Sequence, residues 1–190
     1  MRPFNQVLCD ENKIMNKYLL VLFLILQPLA VFADKYSDAW TLYNAGNYEP
    51  AMLVFSQLAK EGNIYSQAIV GIHHAAKNRH TEEKEPDPYS PKDVLSKITS
   101  KYNSKDVEAI FLLALMHDEG WAAKKDDAIS KKLYLIASEA GHTAAQTHLA
   151  EYYELGIAGE KNKIKALFWY KKASEGGSAW AKHMFTQLNK

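Results

Sequence analysis

Apolar positions in the second half of this chain recur at helical spacing, and the whole pattern recurs again 36 residues later. The stretch Ala145 to Trp180, AQTHLAEYYELGIAGEKNKIKALFWYKKASEGGSAW, lies over Ala109 to Ala144, AIFLLALMHDEGWAAKKDDAISKKLYLIASEAGHTA, without a gap. Gly120 falls on Gly156, Gly141 on Gly177 and Tyr134 on Tyr170, and the pentads ASEAG and ASEGG coincide. Self-similarity at a fixed period of this length is the signature of a repeat architecture. Within the last copy, Ala145, Leu149, Ala150 and Tyr153 predict one apolar helix face that ends at Gly156. A second helix is predicted from near Lys163, striped by Ala166, Leu167, Trp169, Tyr170 and Ala173 and closed by a left-handed cap at Gly176-Gly177. Small residues at 150, 166 and 173 let the two helices approach closely, and the aromatics fill the space between them. Each pair leaves an apolar flank that only a neighbouring pair covers, so the copies stack into an all-α solenoid.

Upstream, residues 34–65 fit a helix, a tight turn and a second helix through Ala39, Leu42, Gly46, Tyr48, Ala51, Phe55 and Leu58, with Gly62 closing the hairpin. Its connection is shorter than the later ones, as is usual in a terminal repeat. Residues 66–108 form the most eroded copy. Ala68, Val70, Gly71 and His74 keep a helix face, but Pro86, Pro88, Pro91 and the acids Glu82, Glu83, Glu85 and Asp87 predict an exposed loop or lid over 79–91. Helix is predicted to resume at Pro91 or Lys92 with Leu95, Ile98 and Tyr102 inward. Residues 109–144 and 145–180 are the two regular copies, and 181–190 hold a helix without a partner that caps the array. The expectation is about four helix-turn-helix repeats plus a C-terminal capping helix.

The first 33 residues change the picture. Met15-Asn16-Lys17 is a short cationic segment, Tyr18 to Leu26 is an unbroken apolar run, and Val31-Phe32-Ala33 is a small-x-small cleavage motif. A signal peptide cut after Ala33 is expected, with translation starting at Met1 or at Met15. The alternative is an uncleaved anchor, although the run is short for a bilayer and is followed by Pro28. Cleavage leaves 20 basic and 20 acidic side chains and removes the sole cysteine, Cys9. That balance does not favour nucleic acid, and disulfides cannot supply stability to the mature chain.

The run Leu149-Ala150-Glu151-Tyr152-Tyr153-Glu154-Leu155-Gly156, followed by Lys165-Ala166-Leu167-Phe168-Trp169-Tyr170-Lys171-Lys172-Ala173 and Gly177, resembles the Sel1-like repeat, a relative of the tetratricopeptide repeat with a longer inter-helix loop. The first hairpin is closer to a plain tetratricopeptide unit. Leu133 stands where the family favours Trp, Ile129-Ser130 replaces Lys-Ala, and Lys105 stands near an expected glycine. The resemblance implies a right-handed α-solenoid whose concave wall, lined by the first helix of each pair, holds a protein partner. Exported bacterial members often serve as adaptors, and some as immunity proteins against secreted toxins, so a periplasmic or secreted interaction module is the implied function. Carrying the tetratricopeptide groove positions across selects Tyr36, Trp40 and Tyr43, then Ala68 and Ile72, then Phe111, Leu115 and Asp118, then Thr147, Glu151 and Glu154. The plainer alternative is that the aromatic stripe at 36, 40 and 43 packs as core against Phe55.

Other chemistry is thinly represented. His73-His74 with His80, and His142 with His148, are the nearest histidine clusters, but neighbouring histidines on a helix point about 100 degrees apart, and no HExxH motif is present. His74 and His117 are expected as half-buried packing residues in the slot that holds Tyr153. No GxSxG elbow occurs, and the carboxylate pairs Asp118-Glu119 and Asp126-Asp127 fall at a helix end and a loop. The lysine-rich faces at 124–125, 131–132 and 161–165 read as solvated. No metal, cofactor or catalytic residue is expected. A second class stays open: a hydrolase or ligand-binding protein acting on cell-wall material, which requires a pocket with convergent polar groups.

Overall fold

A computed structural model describes residues 35–79 and 85–190. The expected signal segment, its Ala33 cleavage site and residues 80–84 of the acidic loop lie outside the described residues. Contacts divide the chain into two compact units, Met1–Ser37 and Asp38–Lys190. Of the first, only residues 35–37 are described, and they are helical.

Nine helices and no strand occur among the described residues: α1 over 35–44, α2 Tyr48–Lys60, α3 Ile64–Asn78, α4 Pro91–Asn103, α5 Val107–Glu119, α6 Asp127–Glu139, α7 Thr143–Leu155, α8 Lys163–Glu175 and α9 Ala179–Leu188. Consecutive helices from α2 onward pack as neighbours, and α3 also touches α5. The fold is an all-α helical repeat. None of the described helices is long and apolar enough to cross a membrane.

The 36-residue register is written in backbone chemistry. Asp106, His142 and Ser178 each cap the helix that follows, accepting from the backbone N–H of Ala109, Ala145 and Ala181 at 3.1, 3.2 and 3.2 Å. Asp126 and Asn162 do the same for α6 and α8. These contacts satisfy N–H groups that a helix start leaves without partners. Before each of the first three caps stands a residue with positive φ: Lys105 at 62°, Gly141 at 92° and Gly177 at 95°. Lys105 therefore occupies the left-handed position that favours glycine.

The core is built from the small-residue faces and from two fully buried tyrosines, Tyr134 and Tyr170. Five inward assignments need correction. Tyr152 is the buried member of its pair, with 2% exposure, because residues 145, 149 and 152 follow the helical period more closely than 145, 149 and 153. Tyr153 instead lies half-buried beneath the Lys131 and Lys165 ammonium groups, 4.9 and 5.2 Å from its ring centre. In α4 the buried pair is Val94 and Ile98, while Leu95 and Tyr102 are half-buried. Leu167 is half-buried as well, and Tyr48 is 47% exposed. Lys131 is not a purely solvated cation, since its Nζ donates to the carbonyls of Ile157 and Ala158. At Gly71 in α3 a Cβ would come within 2.2 Å of the Trp121 ring, so the glycine leaves the space that the indole fills.

Candidate functional site

Side chains of α1, α3, α5 and α7 meet around one aromatic cluster, with Trp40 of α1 packed on α5 and on the turn before α7. The Trp40 ring stands 5.3 Å from Phe55, 5.6 Å from Phe111 and 5.8 Å from His142, each edge-on. Phe111 in turn stacks on His142 at 4.2 Å. His142 Nδ1 accepts the Ala145 N–H, which assigns the ring proton to Nε2, 3.1 Å from Glu108 Oε2. One histidine thus caps α7, ties it to α5 and seats two aromatic rings.

Two hollows flank this aromatic cluster. The first, about 180 Å³, is lined by Trp40, Tyr43, Ile72, Phe111 and Leu115, together with His73 and Glu119 among others. The second, about 340 Å³, lies between the α1–α2 turn and the α7 and α9 segments; Tyr43, Tyr48, Thr147, His148, Glu151 and Trp180 contribute to it. Burial raises the Tyr43 hydroxyl pKa, with Tyr48, Glu151 and Glu119 adding to the effect.

The sequence-derived wall residues therefore separate into groups. Trp40, Tyr43, Ile72, Phe111 and Leu115 meet at the first hollow. Tyr43, Thr147 and Glu151 meet at the second. Ala68 is fully buried, and Tyr36 is half-buried in the first unit.

Asp118 and Glu154 line neither hollow. Asp118 accepts the Tyr134 hydroxyl at 2.9 Å and the Tyr152 hydroxyl at 2.8 Å. Glu154 accepts the Tyr170 hydroxyl at 2.6 Å. Asp118 and Glu154 are one repeat apart, as are Tyr134 and Tyr170, so the same acid-to-tyrosine clamp closes both regular hairpins. Burial raises all three hydroxyl pKa values, and the accepting carboxylates raise them further.

Sequence reasoning missed Tyr48, His148 and Trp180 as wall residues. The signal for Trp180 was the repeat register itself: Glu108, Ala144 and Trp180 are equivalent positions, and only the last carries a large ring, 45% exposed. Among the described residues, no group of three or more His, Cys, Asp or Glu side chains converges as a metal site requires.

The Sel1 repeat family model matches residues 107–142 and 143–178. Among solved structures, the chain is similar to a protective antigen of uropathogenic Escherichia coli strains displaying an SLR fold, at 26% identity and a TM-score of 0.51. The match covers 73% of this chain but only 28% of that antigen. A Sel1 repeat protein from Oxalobacter formigenes aligns at 24% identity and a TM-score of 0.49, over 71% of this chain and 96% of that one. No curated protein matches. Sel1 repeats are in general protein–protein interaction modules and typically non-catalytic scaffolds. Residues 107–178 are thus two tandem Sel1 repeats, carried in a chain whose fold is an all-α helical repeat.

Proposed function

We propose that this protein is a docking module that holds a partner protein against the inner wall, and that residues 1–33 export it to the periplasm, where it acts as an adaptor or a toxin-neutralising protein. The observation that carries the docking reading is the hollow beside Trp40. Ile72, Leu115 and Tyr43 from three different helices present apolar surface there next to Glu119 and His73. Such a recess on a pre-ordered scaffold suits an apolar side chain of an extended segment, and docking then orders little of the host. Export is supported by the charge, length and cleavage pattern of the first 33 residues.

Site-specific photo-crosslinking in living cells tests docking, with the probe at Leu115 and a control at Lys132, which is exposed on α6. Capture of one protein at Leu115 and not at Lys132 is expected. Capture at neither position, or equal capture at both, overturns the reading. The toxin-neutralising version further requires that the captured protein be an enzyme bound at nanomolar affinity and inhibited; weak binding to several envelope proteins removes it. Export is tested by N-terminal sequencing of the fractionated protein, where Asp34 is the expected first residue.

A further inference from the structure

The larger hollow has a chemistry that the docking reading alone does not use. Its walls carry three aromatic rings drawn from two distant parts of the chain. Tyr43 and Tyr48 meet edge-to-face at 5.0 Å across the α1–α2 turn, and Trp180 comes from α9. Glu151 supplies the carboxylate. No lysine or arginine stands among the described residues that line the hollow.

Glu151 is held by one indole donor, and its other neighbour, His148, cancels its charge only when the imidazole is protonated. The Trp180 indole N–H donates to its Oε1 at 2.8 Å, and His148 Nδ1 lies 3.5 Å from its Oε2. An indole N–H fixes the carboxylate without cancelling its charge, and each oxygen keeps a further lone pair for a guest. The field of Glu151 reaches across the hollow, where it adds to the upward pKa shift of Tyr43. Aromatic faces carry negative quadrupole potential, so rings gathered around an acid attract a cation more than a neutral group. The volume, about 340 Å³, fits one long side chain and excludes a folded element. A planar guanidinium stacks on rings and bonds a carboxylate edge at once, and it sheds water more readily than an ammonium.

We propose that the hollow formed by Tyr43, Tyr48, Trp180 and Glu151 receives the guanidinium of an arginine side chain carried by the docked partner. This rests on the docking reading above. It places the cation one repeat along from the apolar hollow, since Leu115 and Glu151 are equivalent positions.

The test is an NMR titration of the full-length protein that reads the Trp180 indole N–H, assigned by loss of its signal in Trp180→Phe. The probes are N-acetyl-arginine amide, its uncharged citrulline counterpart and tetramethylammonium chloride. A saturable shift with the arginine compound, at least fivefold weaker with citrulline, is expected. Glu151→Gln keeps an acceptor for the indole and should weaken the arginine response at least fivefold. Tyr48→Ala trims a half-exposed ring and should weaken it without lowering the melting temperature by more than a few degrees, so the test survives if Glu151→Gln folds poorly. Equal responses to arginine and citrulline, no saturable shift, or unchanged affinity in both variants overturns the proposal. A stronger response to tetramethylammonium than to arginine also overturns it, and points to a free quaternary ammonium ligand. Because crosslinking at Leu115 reads docking through the other hollow, a Leu115 capture with no arginine response removes only the guanidinium assignment.

Discussion

Removing the Asp118 carboxylate separates architecture from docking, because the groove register places this residue on the wall while the structure uses it as a brace. Asp118 lies at the end of α5, its side chain is 18% exposed, and it accepts from tyrosines on α6 and α7. It therefore joins one hairpin internally and joins that hairpin to the next. Hydrogen bonds to a charged acceptor are worth about 1.5–3 kcal/mol each, and Asp118→Ala leaves two largely buried hydroxyls without their acceptor. Allowing for water reaching the partly exposed carboxylate site, the expected loss is about 3–4 kcal/mol, which in a domain of this size lowers the melting temperature by roughly 6–16 °C. Circular dichroism at the helix band, with heat and with guanidinium, reads both numbers. Asp118→Asn keeps one acceptor oxygen and should fall between. Adding Tyr134→Phe and Tyr152→Phe to Asp118→Ala removes the orphaned hydroxyls, so the triple variant should be more stable than the sum of the separate losses by about 1 kcal/mol or more. A loss below about 1 kcal/mol for Asp118→Ala, or strict additivity with the tyrosine changes, refutes the clamp. Loss of the Leu115 crosslink with an unchanged melting curve does so as well.

Three further outcomes are expected. Trp169→Ala truncates a ring with 8% exposure and should cost roughly 3–5 kcal/mol, whereas Ile164→Ala, at 82% exposure, should stay within about 0.5 kcal/mol; similar melting curves for the two would overturn the inward face of α8. Tyr134 is neutral and buried in the fold with its pKa held well above 10.0, so the folded state binds more protons than the unfolded state above that pH. Stability is then fully present below pH 10 and falls as pH rises, by about 1.4 kcal/mol per unit from this residue; Tyr134→Phe should flatten the alkaline limb of a denaturation series, and an unchanged slope counts against the assignment. Lys105→Gly relieves a non-glycine residue at φ 62° and should raise stability by roughly 0.5–1 kcal/mol, read as a higher denaturation midpoint at constant slope.

The fold class was legible because each repeat restates it. Gly120, Gly141, Gly156 and Gly177 mark helix ends, and the small-residue faces between them have a helical period. Where the reading slipped, neighbours in sequence competed for one slot. Tyr152 and Tyr153 are both aromatic; the period from Ala145 and Leu149 favours the first, and packing on Tyr134 of α6 at 5.5 Å with a hydrogen bond to Asp118 of α5 holds it there. The clamp was visible in the register, since Asp118 and Glu154 pair with Tyr134 and Tyr170, but a groove template assigns acids on a first helix to the wall. The two hollows were not legible. They depend on α1 lying across Phe111 and His142, a contact between residues far apart in sequence that no local periodicity encodes.

The register also separates what the fold requires from what the wall is free to vary. Positions that build the backbone keep one physical role through chemically different residues: Lys105, Gly141 and Gly177 turn left-handed, and Asp106, His142 and Ser178 cap. Positions that line the two hollows do the opposite and change character from copy to copy. Phe111 becomes Thr147, Leu115 becomes Glu151, and Ala144 becomes Trp180. A solenoid keeps its stacking when such wall residues change, because each copy is held by its caps, its clamp and its neighbour. The variation therefore grades the wall along the array, from apolar beside α5 to aromatic and acidic between α7 and α9. A segment that satisfied both hollows would carry an apolar side chain at one end and a guanidinium at the other. That polarity would fix its direction along the wall as well as its affinity, since reversal would put the charge against Phe111 and Ile72, where the lining acid Glu119 already pairs with Arg79, and leave Glu151 facing an apolar group.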